Sequence, residues 1–296
     1  MKNMKYIFMV LLGGTMYGTM SSFVKLSYAE GFNAAEISFW QAFLAAILLA
    51  VCSLSGAKTA TGKLTLKDLL PLLLTGSAIG LTNFLYYKSV SYIPASLAIV
   101  ILMQFTWFSL FLEWLVFGHR PSKAELLTVS LILVGTAMAG GVFNEEEWSF
   151  SPKGILLALS SSLTYAVYIV ANGRTGQHVR WQSKGMMIMV GSSLCIFSIN
   201  SSTILSGDYI GESFFYWVIF LALAGTTIPT ALFAAGISKV GAGLSSILMT
   251  VELPVAILCS RIILKEPITS MQIVGIIILL ASICMLNYYK VVKTKR

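Results

Sequence analysis

Polar side chains recur at helical spacing within long apolar stretches of this chain, and they are the residues that could do chemistry. Residues three, four or seven positions apart share one face of a helix. The polar stripes are Gly14, Tyr17, Gly18, Ser21 and Lys25; Gly76, Gly80, Asn83 and Tyr87; Thr106, Ser109 and Glu113; Ser161, Tyr165, Tyr168 and Asn172; and Ser245, Met249, Glu252, Ala256 and Cys259. Because an unsatisfied polar group is costly in hydrocarbon, we expect these stripes to face the protein interior.

The predicted substrate-binding residues lie on these stripes or deep in an apolar stretch. They are Tyr17, Ser21, Asn83, Tyr87, Trp107, Tyr165, Tyr168, Asn172 and Glu252. The tyrosines could stack on a substrate or hydrogen-bond to it, and packing in the core is the alternative for each of them. Trp107 lies deeper than most tryptophans of the chain and could form a cavity wall, with anchoring at the membrane interface as the alternative.

Four ionisable residues are candidates for charge recognition or coupling: Glu252, Glu113, Lys25 and Lys88. Glu252 lies near the middle of an apolar stretch, where an ionised carboxylate is costly. Three roles are open for it. It could be a proton-coupling site, it could bind a substrate ammonium group, or it could be the structural partner of a hydroxyl or basic group. Glu113 could instead be an interfacial or structural pair. Lys25 and Lys88 could attract a substrate carboxylate or extend to the membrane interface.

Several kinds of chemistry are not expected. The sequence has no G-x-x-x-x-G-K-[ST] loop, so we expect no nucleotide-driven motor. Both histidines fall in predicted loops, and no nucleophile and base follow a known catalytic spacing. We therefore predict neither an enzyme nor a bound metal or cofactor. The net charge of +8 is spread over loops and termini, which predicts no nucleic-acid partner.

The elements that must position these residues are membrane-spanning helices. Of the 296 residues, 57% are apolar and 11% are charged, whereas a soluble domain carries about 25% charged residues. This composition excludes a soluble enzyme, a secreted disulfide scaffold and a disordered chain. A helix needs about 20 apolar residues to cross the bilayer. The predicted spans are 6–26, 35–54, 69–89, 94–117, 125–143, 154–172, 184–205, 214–236, 242–263 and 270–289.

The basic residues predict how these spans are oriented. With a cytoplasmic N-terminus, the cytoplasmic segments hold Lys2, Lys5, Lys58, Lys63, Lys67, Arg120, Lys123, Arg174, Arg180, Lys184, Lys239, Lys290, Lys293, Lys295 and Arg296. The opposite side holds Lys25, Lys88, Lys153, Arg261 and Lys265. Such a bias is typical of the cytoplasmic sides of membrane proteins. We therefore predict a multi-pass protein of the cytoplasmic (plasma) membrane with both termini in the cytoplasm.

The two halves of the chain resemble each other. Thr15-Met16-Tyr17-Gly18 matches Leu163-Thr164-Tyr165-Ala166, and Leu74-Thr75-Gly76-Ser77 matches Leu223-Ala224-Gly225-Thr226. The alternative is that apolar helices resemble each other by composition alone. Because each half has an odd number of spans, the second half must enter the membrane from the opposite side. The predicted fold is an all-α membrane protein of ten transmembrane helices in two inverted five-helix repeats, 1–148 and 149–296.

Small residues and prolines occur inside several of the predicted spans. Gly14 with Gly18 and Gly76 with Gly80 form small-x-x-x-small pairs, which favour close helix packing. Room for a substrate, or a flexible helix, is the alternative interpretation. Pro229 and Pro254 lie inside apolar spans and should bend their helices.

A group of motifs near the C-terminus resembles the EamA-type transporters of the drug/metabolite transporter superfamily. The motifs are Val251-Glu252-Leu253-Pro254-Val255, Ile263-Leu264-Lys265-Glu266-Pro267-Ile268-Thr269 and Gln272-x-x-Gly275. The resemblance extends over nearly the whole chain. It departs from the family pattern in the first repeat, where Phe105 replaces a proline and Arg120 an acidic residue. The resemblance implies export or exchange of amino acids, nucleosides, sugars or other small metabolites.

These patterns together predict a secondary transporter that exports a small organic metabolite, such as an amino acid, by alternating access of two inverted repeats. The predicted partners are that small-molecule substrate and the lipid bilayer. A central polar cavity should be lined by the first, third, fourth, sixth, eighth and ninth spans. Proton coupling and facilitated exchange remain alternatives. A non-transporting accessory or lipid-handling protein of the same topology is the alternative function, and it would have an apolar or closed centre.

Overall fold

The computed structural model describes residues 2–55, 64–93, 95–139, 151–206, 211–265 and 268–295, and these contain helices and connecting turns without a β-strand. The helices are α1 (Lys2–Ala29), α2 (Ala34–Ser55), α3 (Leu66–Val90), α4 (Ala95–Leu102), α5 (Phe105–Phe117), α6 (Lys123–Ala139), α7 (Pro152–Arg174), α8 (Trp181–Ser206), α9 (Glu212–Phe220), α10 (Ile228–Val240), α11 (Ala242–Met249), α12 (Glu252–Cys259) and α13 (Ser270–Lys295). Lys58, Lys63, Arg296, Glu266, Pro267 and the expected repeat boundary at 148 lie outside the described residues.

Each predicted span corresponds to helical structure, so the predicted all-α membrane fold is confirmed. Eight stretches of the described chain are long and apolar enough to cross a membrane. The other two spans correspond to α6 and to the shorter apolar helix Ser270–Leu286 within α13. Two π-helical segments, Leu221–Thr227 and Ser260–Leu264, continue the eighth and ninth spans.

The regular α-helical hydrogen bonding of the fourth and ninth spans is interrupted near their middle, although the backbone stays right-handed helical at both points. α4 ends at Leu102 and α5 begins at Phe105, whereas α11 ends at Met249 and α12 begins at Glu252. The chain forms a tight turn at both points. The Thr106 amide donates to the Met103 carbonyl at 3.1 Å, and the Leu253 amide donates to the Thr250 carbonyl at 3.2 Å. Tight turns of this kind use hydrogen bonds between residues three positions apart. The ninth span therefore presents Glu252 at the start of a half-helix.

Different residues favour the two breaks. Pro254 lacks an amide hydrogen and its ring crowds the carbonyl four positions earlier, which explains the break in the ninth span. The fourth span has no proline there. Instead, the Thr106 hydroxyl donates to the Met103 carbonyl at 2.9 Å, and the Thr250 hydroxyl makes the corresponding bond to the Ile247 carbonyl at 2.7 Å. Such side-chain bonds compete with the regular helical pattern.

The packing of the helices follows the order that an inverted duplication requires. α1 packs against α10 and α12, and α7 packs in the corresponding way against α3 and α5. The pairs α2 with α8 and α6 with α13 each join corresponding spans of the two halves. The two halves therefore interdigitate, and the interface between them runs through the centre of the molecule.

Glycines allow the two halves to approach closely. A Cβ atom at Gly18 would lie 2.5 Å from the backbone carbonyl oxygen of Glu252, and one at Gly80 would lie 2.8 Å from the Cα atom of Ser192. A Cβ atom at Gly76 would overlap the Ile188 carbonyl. The small-residue pairs of α1 and α3 are thus buried in packing contacts with the second half of the chain.

Candidate functional site

An internal cavity of about 40 Å³ lies between the two halves. Its walls come from α1, α3 and α4 of the first half and from α7 and α12 of the second. The lining residues are Tyr17, Gly18, Met20, Ser21, Thr82, Asn83, Tyr86, Tyr87, Ile99, Leu102, Tyr165 and Glu252. An ordered water occupies roughly 10–15 Å³ of such space, so the cavity has room for a few waters.

The structure brings together six of the residues singled out from the sequence. They are Tyr17, Ser21, Asn83, Tyr87, Tyr165 and Glu252. The first, third, fourth, sixth and ninth spans contribute to the lining as expected, but the eighth span contributes no described lining residue. It lies behind α1 instead, where Phe233 stacks on Tyr17 at 5.5 Å between ring centroids.

Glu252 is the one acidic residue among the described residues that line the cavity. Its side chain is only 4% exposed, and the Tyr165 hydroxyl donates a hydrogen bond to Glu252 Oε1 at 2.6 Å. A buried carboxylate with a single hydroxyl donor can still accept a further hydrogen bond or a cation.

Neighbouring rings hold Tyr165 in place. Tyr168 stacks parallel to it at 6.1 Å, and Phe105 meets it edge-on at 4.7 Å. Asn172 Nδ2 donates to the Tyr168 hydroxyl at 3.1 Å. Tyr168 and Asn172 are fully buried but do not line the cavity, so they form a layer that supports Tyr165.

Several hydroxyl groups of the cavity wall lack strong partners. The Tyr86 hydroxyl is buried with no hydrogen-bond partner among the described residues. The Tyr17 hydroxyl approaches the Asn83 side chain without a hydrogen bond of good geometry. The Tyr87 hydroxyl accepts only a long bond, 3.5 Å, from Gln41 Nε2. Because buried polar groups are usually paired, such groups mark a place where a ligand or water can bind.

Several members of this environment were missed by the sequence reasoning, among them Thr82, Tyr86 and Gln41. Thr82 and Tyr86 are each adjacent to a residue of the predicted stripe on the third span but were not included in it. Gln41 is buried in α2, a helix in which no polar stripe was recognised. A single polar residue in an apolar helix gives no periodic signal, so its position could be learned only from the packing of α2.

Lys184 is buried, which differs from the exposed position that the sequence led us to expect. It was counted among the cytoplasmic basic residues, but it is 1% exposed inside the helix bundle. Its Nζ donates to the Asn172 carbonyl and to Ser238 Oγ, both at 2.6 Å. The Asn172 carbonyl belongs to the last turn of α7, where carbonyls lack intrahelical partners. Lys184 therefore caps α7 from within the protein.

The remaining sequence candidates lie outside the cavity lining. Trp107 is 38% exposed and donates its indole hydrogen to Gln104 Oε1 at 2.8 Å. Lys88 Nζ lies 5.2 Å from the centroid of the Phe84 ring, and Lys25 is exposed. No group of three metal-binding side chains occurs in the part of the chain that the structure describes.

Glu113 joins the two halves at one end of the molecule. It forms an ion pair with Arg174 at 3.0 Å and accepts a hydrogen bond from the Gly243 amide at 3.0 Å. Asp68 and His178 form a second pair at the same end, at 3.1 Å. This geometry agrees with the structural-pair interpretation of Glu113.

At the opposite end the two halves meet through Tyr92 and Lys153. The Lys153 ammonium lies 4.7 Å from the centroid of the Tyr92 ring. A hydrogen bond from Lys153 and its positive charge lower the pKa of the Tyr92 hydroxyl. Apolar contacts complete this end, including the Phe32 and Phe214 rings at 5.3 Å.

Several proteins that are named as transporters are similar in sequence to this chain. The chain is 26% identical over 238 residues to an uncharacterized transporter of Synechocystis sp., covering 75% of this chain and 68% of that protein. It is 26% identical to the uncharacterized transporter YvbV of Bacillus subtilis, covering 76% and 74%. It is also 26% identical to the threonine/homoserine exporter RhtA of Salmonella typhimurium, covering 72% and 69%.

A solved structure has the same fold. A crystal structure matches with a TM-score of 0.74 at 14% sequence identity, covering 99% of this chain and 98% of the other. The model of the EamA-like transporter family matches the sequence twice, at residues 4–141 and 152–288. The proteins of this family are transporters and not enzymes. The two matches cover nearly the whole chain, which therefore belongs to the EamA-like transporter family.

Proposed function

We propose that this protein is a secondary transporter that exports a small organic metabolite, an amino acid or a similar molecule, across the cytoplasmic membrane. The observation that carries the proposal is the polar cavity between the two halves, in which Glu252 and Tyr165 are hydrogen-bonded. A wall drawn from both halves lets relative movement of the halves open or close access to a bound molecule.

In the proposed site, the substrate contacts Tyr17, Ser21, Asn83, Tyr87, Tyr165 and Glu252. Tyr168 and Asn172 act as positioning residues, since they hold Tyr165 from behind. Trp107, Glu113, Lys25 and Lys88 are left out of the binding set because they do not line the cavity. Glu113 instead helps to close one end of the pathway through its pair with Arg174.

Transport requires the cavity to change size. Its volume of about 40 Å³ holds a few waters, so a metabolite enters only when the lining helices separate. The tight turns between α4 and α5 and between α11 and α12 are points at which the fourth and ninth spans can bend.

The proposed direction rests on two observations. The distribution of basic residues favours a cytoplasmic location of both termini. One relative, RhtA of Salmonella typhimurium, is named an exporter of threonine and homoserine. We therefore place the metabolite source in the cytoplasm and the protein in the plasma membrane.

The alternative of a non-transporting protein is less well supported. It predicts an apolar or closed centre. The cavity is small and much of its surface is apolar, with Met20, Ile99 and Leu102 in the lining. It also contains the Glu252 carboxyl group and three tyrosine hydroxyls without strong partners, which a purely apolar centre would lack.

Counterflow in proteoliposomes tests the proposed function. The purified protein is reconstituted, the vesicles are loaded with one unlabelled metabolite at a time, and entry of the labelled form is measured across a panel of amino acids and related amines. We expect transient accumulation of at least one compound, and we expect Glu252→Gln to reduce it. Glu125→Gln is the matched control, because Glu125 lies at the start of α6 and a glutamine retains its capping role. Absence of counterflow for every compound would contradict the proposal.

A further inference from the structure

The cavity contains an acidic group and no basic one. Among the described residues that line it, Glu252 has the only carboxyl group, and no lysine, arginine or histidine is present. The two lysines considered for binding a carboxylate, Lys25 and Lys88, lie outside the lining. The buried Lys184 is held by the Asn172 carbonyl and Ser238. A ligand in this cavity therefore meets one acidic group and no basic one, and a cationic ligand would supply the partner for an ionised Glu252.

The remaining lining groups also suit a cation. Tyr17, Tyr86, Tyr87 and Tyr165 surround the same small space as Glu252. Tyrosine rings attract organic cations through their π electrons. The hydroxyl of Tyr86, which is 8% exposed, has no described partner and can accept a hydrogen bond from an ammonium group.

We propose that the cavity selects small organic amines that carry no free carboxylate, with the cationic nitrogen bound by Glu252 and the surrounding tyrosines. This specificity rests on the proposed function, because it identifies the substrate of the same site. Amino alcohols, simple amines and amino-acid esters are members of the class. The parent amino acids should bind less well than their decarboxylated or esterified forms.

The discrimination has a physical cause. A buried charge is costly unless it is paired and hydrogen-bonded. The ammonium group of an amino acid would be paired with Glu252, but its carboxylate would find only tyrosine hydroxyls and the Asn83 amide in the described lining. It would also lie near the negative charge of Glu252. Rejection by an unpaired or repelling charge is an effective source of specificity.

Two matched sets of ligands test this inference with the purified protein in lipid nanodiscs. The first set is threonine, threonine methyl ester, isopropanolamine, which lacks the carboxyl group, and β-hydroxybutyrate, which lacks the amino group. The second set is phenylalanine, its methyl ester, phenethylamine and hydrocinnamate. Isothermal titration calorimetry gives the affinity of each compound for the unmodified protein and for Glu252→Gln, with Glu125→Gln as the control.

We expect the amine and the ester of at least one set to bind about tenfold or more tightly than the amino acid, as loss of one charge-assisted contact implies. The deaminated acids should not bind. Glu252→Gln should abolish amine binding, whereas Glu125→Gln should retain it. Tyr165→Phe, which keeps the carboxylate, should retain the preference for amines and serves as the second variant if Glu252→Gln does not fold.

Three results would overturn the inference: an amino acid that binds as tightly as its amine, binding of a deaminated acid, or no binding of any amine in either set. Failure of the proposed function gives a different result. In that case the amines bind with the expected preference, but no compound shows counterflow in proteoliposomes.

Discussion

Tyr165 connects the charge of the cavity to its aromatic wall. Its hydroxyl donates to Glu252 Oε1 at 2.6 Å, and its ring is held by Tyr168 and Phe105. The ring contacts fix the direction of the hydroxyl, so the hydrogen bond forms without further ordering of the side chain. At the residue scale, this pair fixes the side from which the proposed cationic substrate would approach Glu252.

Removal of this hydroxyl gives the first prediction. Tyr165→Phe keeps the ring contacts but removes the donor to Glu252, and a hydrogen bond to a charged group contributes about 1.5–3 kcal/mol. We expect the initial rate of counterflow at low substrate concentration to change by about tenfold or more. Tyr216→Phe is the control, since Tyr216 is 76% exposed. Equal rates for the two variants would show that the Tyr165 hydroxyl does not act in the site.

Helical spacing predicted three of the four tyrosines that line the cavity and missed Tyr86. Tyr17, Tyr87 and Tyr165 lie on polar stripes, and each reaches the same cavity. The same reasoning did not find Lys184, because a lysine near a helix end is usually exposed. Only the fold brings the Asn172 carbonyl and the Ser238 hydroxyl, from two other helices, to its ammonium group.

At the scale of the element, the interruptions in the fourth and ninth spans differ in how well the sequence predicts them. Pro254 made a bend in the ninth span predictable, whereas the break between α4 and α5 has no proline and was not expected. The sequence signal of that break is Thr106, whose hydroxyl bonds to a carbonyl one turn earlier. Threonine is common in spans that remain straight, so this signal alone is too weak to locate a break.

Close packing of α1 on α12 yields the second prediction. A Cβ atom at Gly18 would lie 2.5 Å from the Glu252 carbonyl oxygen, which is closer than real contacts allow. We expect Gly18→Ala to displace α12 and, with it, the Glu252 carboxylate, and therefore to lower both the melting temperature and the counterflow rate. At Gly211 a Cβ atom would meet nothing within 4 Å, so Gly211→Ala is the matched control. Wild-type transport by Gly18→Ala would contradict this packing.

The cap on α7 yields the third prediction. Lys184→Met removes a charged donor from the Asn172 carbonyl and leaves only the weaker bond from Ser238 Oγ at 3.2 Å. We expect a lower melting temperature in lipid nanodiscs, since the Asn172 carbonyl and Ser238 Oγ each lose a hydrogen bond, and one such bond contributes about 0.5–1.5 kcal/mol. Lys5→Met is the control, because Lys5 is exposed in α1. A higher melting temperature for Lys184→Met would instead mean that desolvation of the ammonium outweighs its hydrogen bonds.

At the scale of the whole molecule, the two halves are joined at both ends of the pathway. Glu113 with Arg174 and Asp68 with His178 connect them at one end, and Lys153 with Tyr92 connects them at the other. Opening either end requires these contacts to separate. The correspondence between the helix contacts of the two halves was predictable from the repeated motifs. The pairs that close the ends were not, because each joins residues distant in the sequence.

Solvent access to Ser21 is the most direct test of a central cavity that opens to both sides of the membrane. The four natural cysteines are replaced by alanine, Ser21→Cys is introduced, and a membrane-impermeant thiol reagent is applied to either side of oriented vesicles. We predict that the thiol at position 21 reacts from both sides, and that a transported amine slows the reaction. Leu74→Cys, at a side chain that is 61% exposed on the apolar surface, should not react. Failure of the thiol at position 21 to react from either side, or a rate unaffected by every transported compound, would contradict the account.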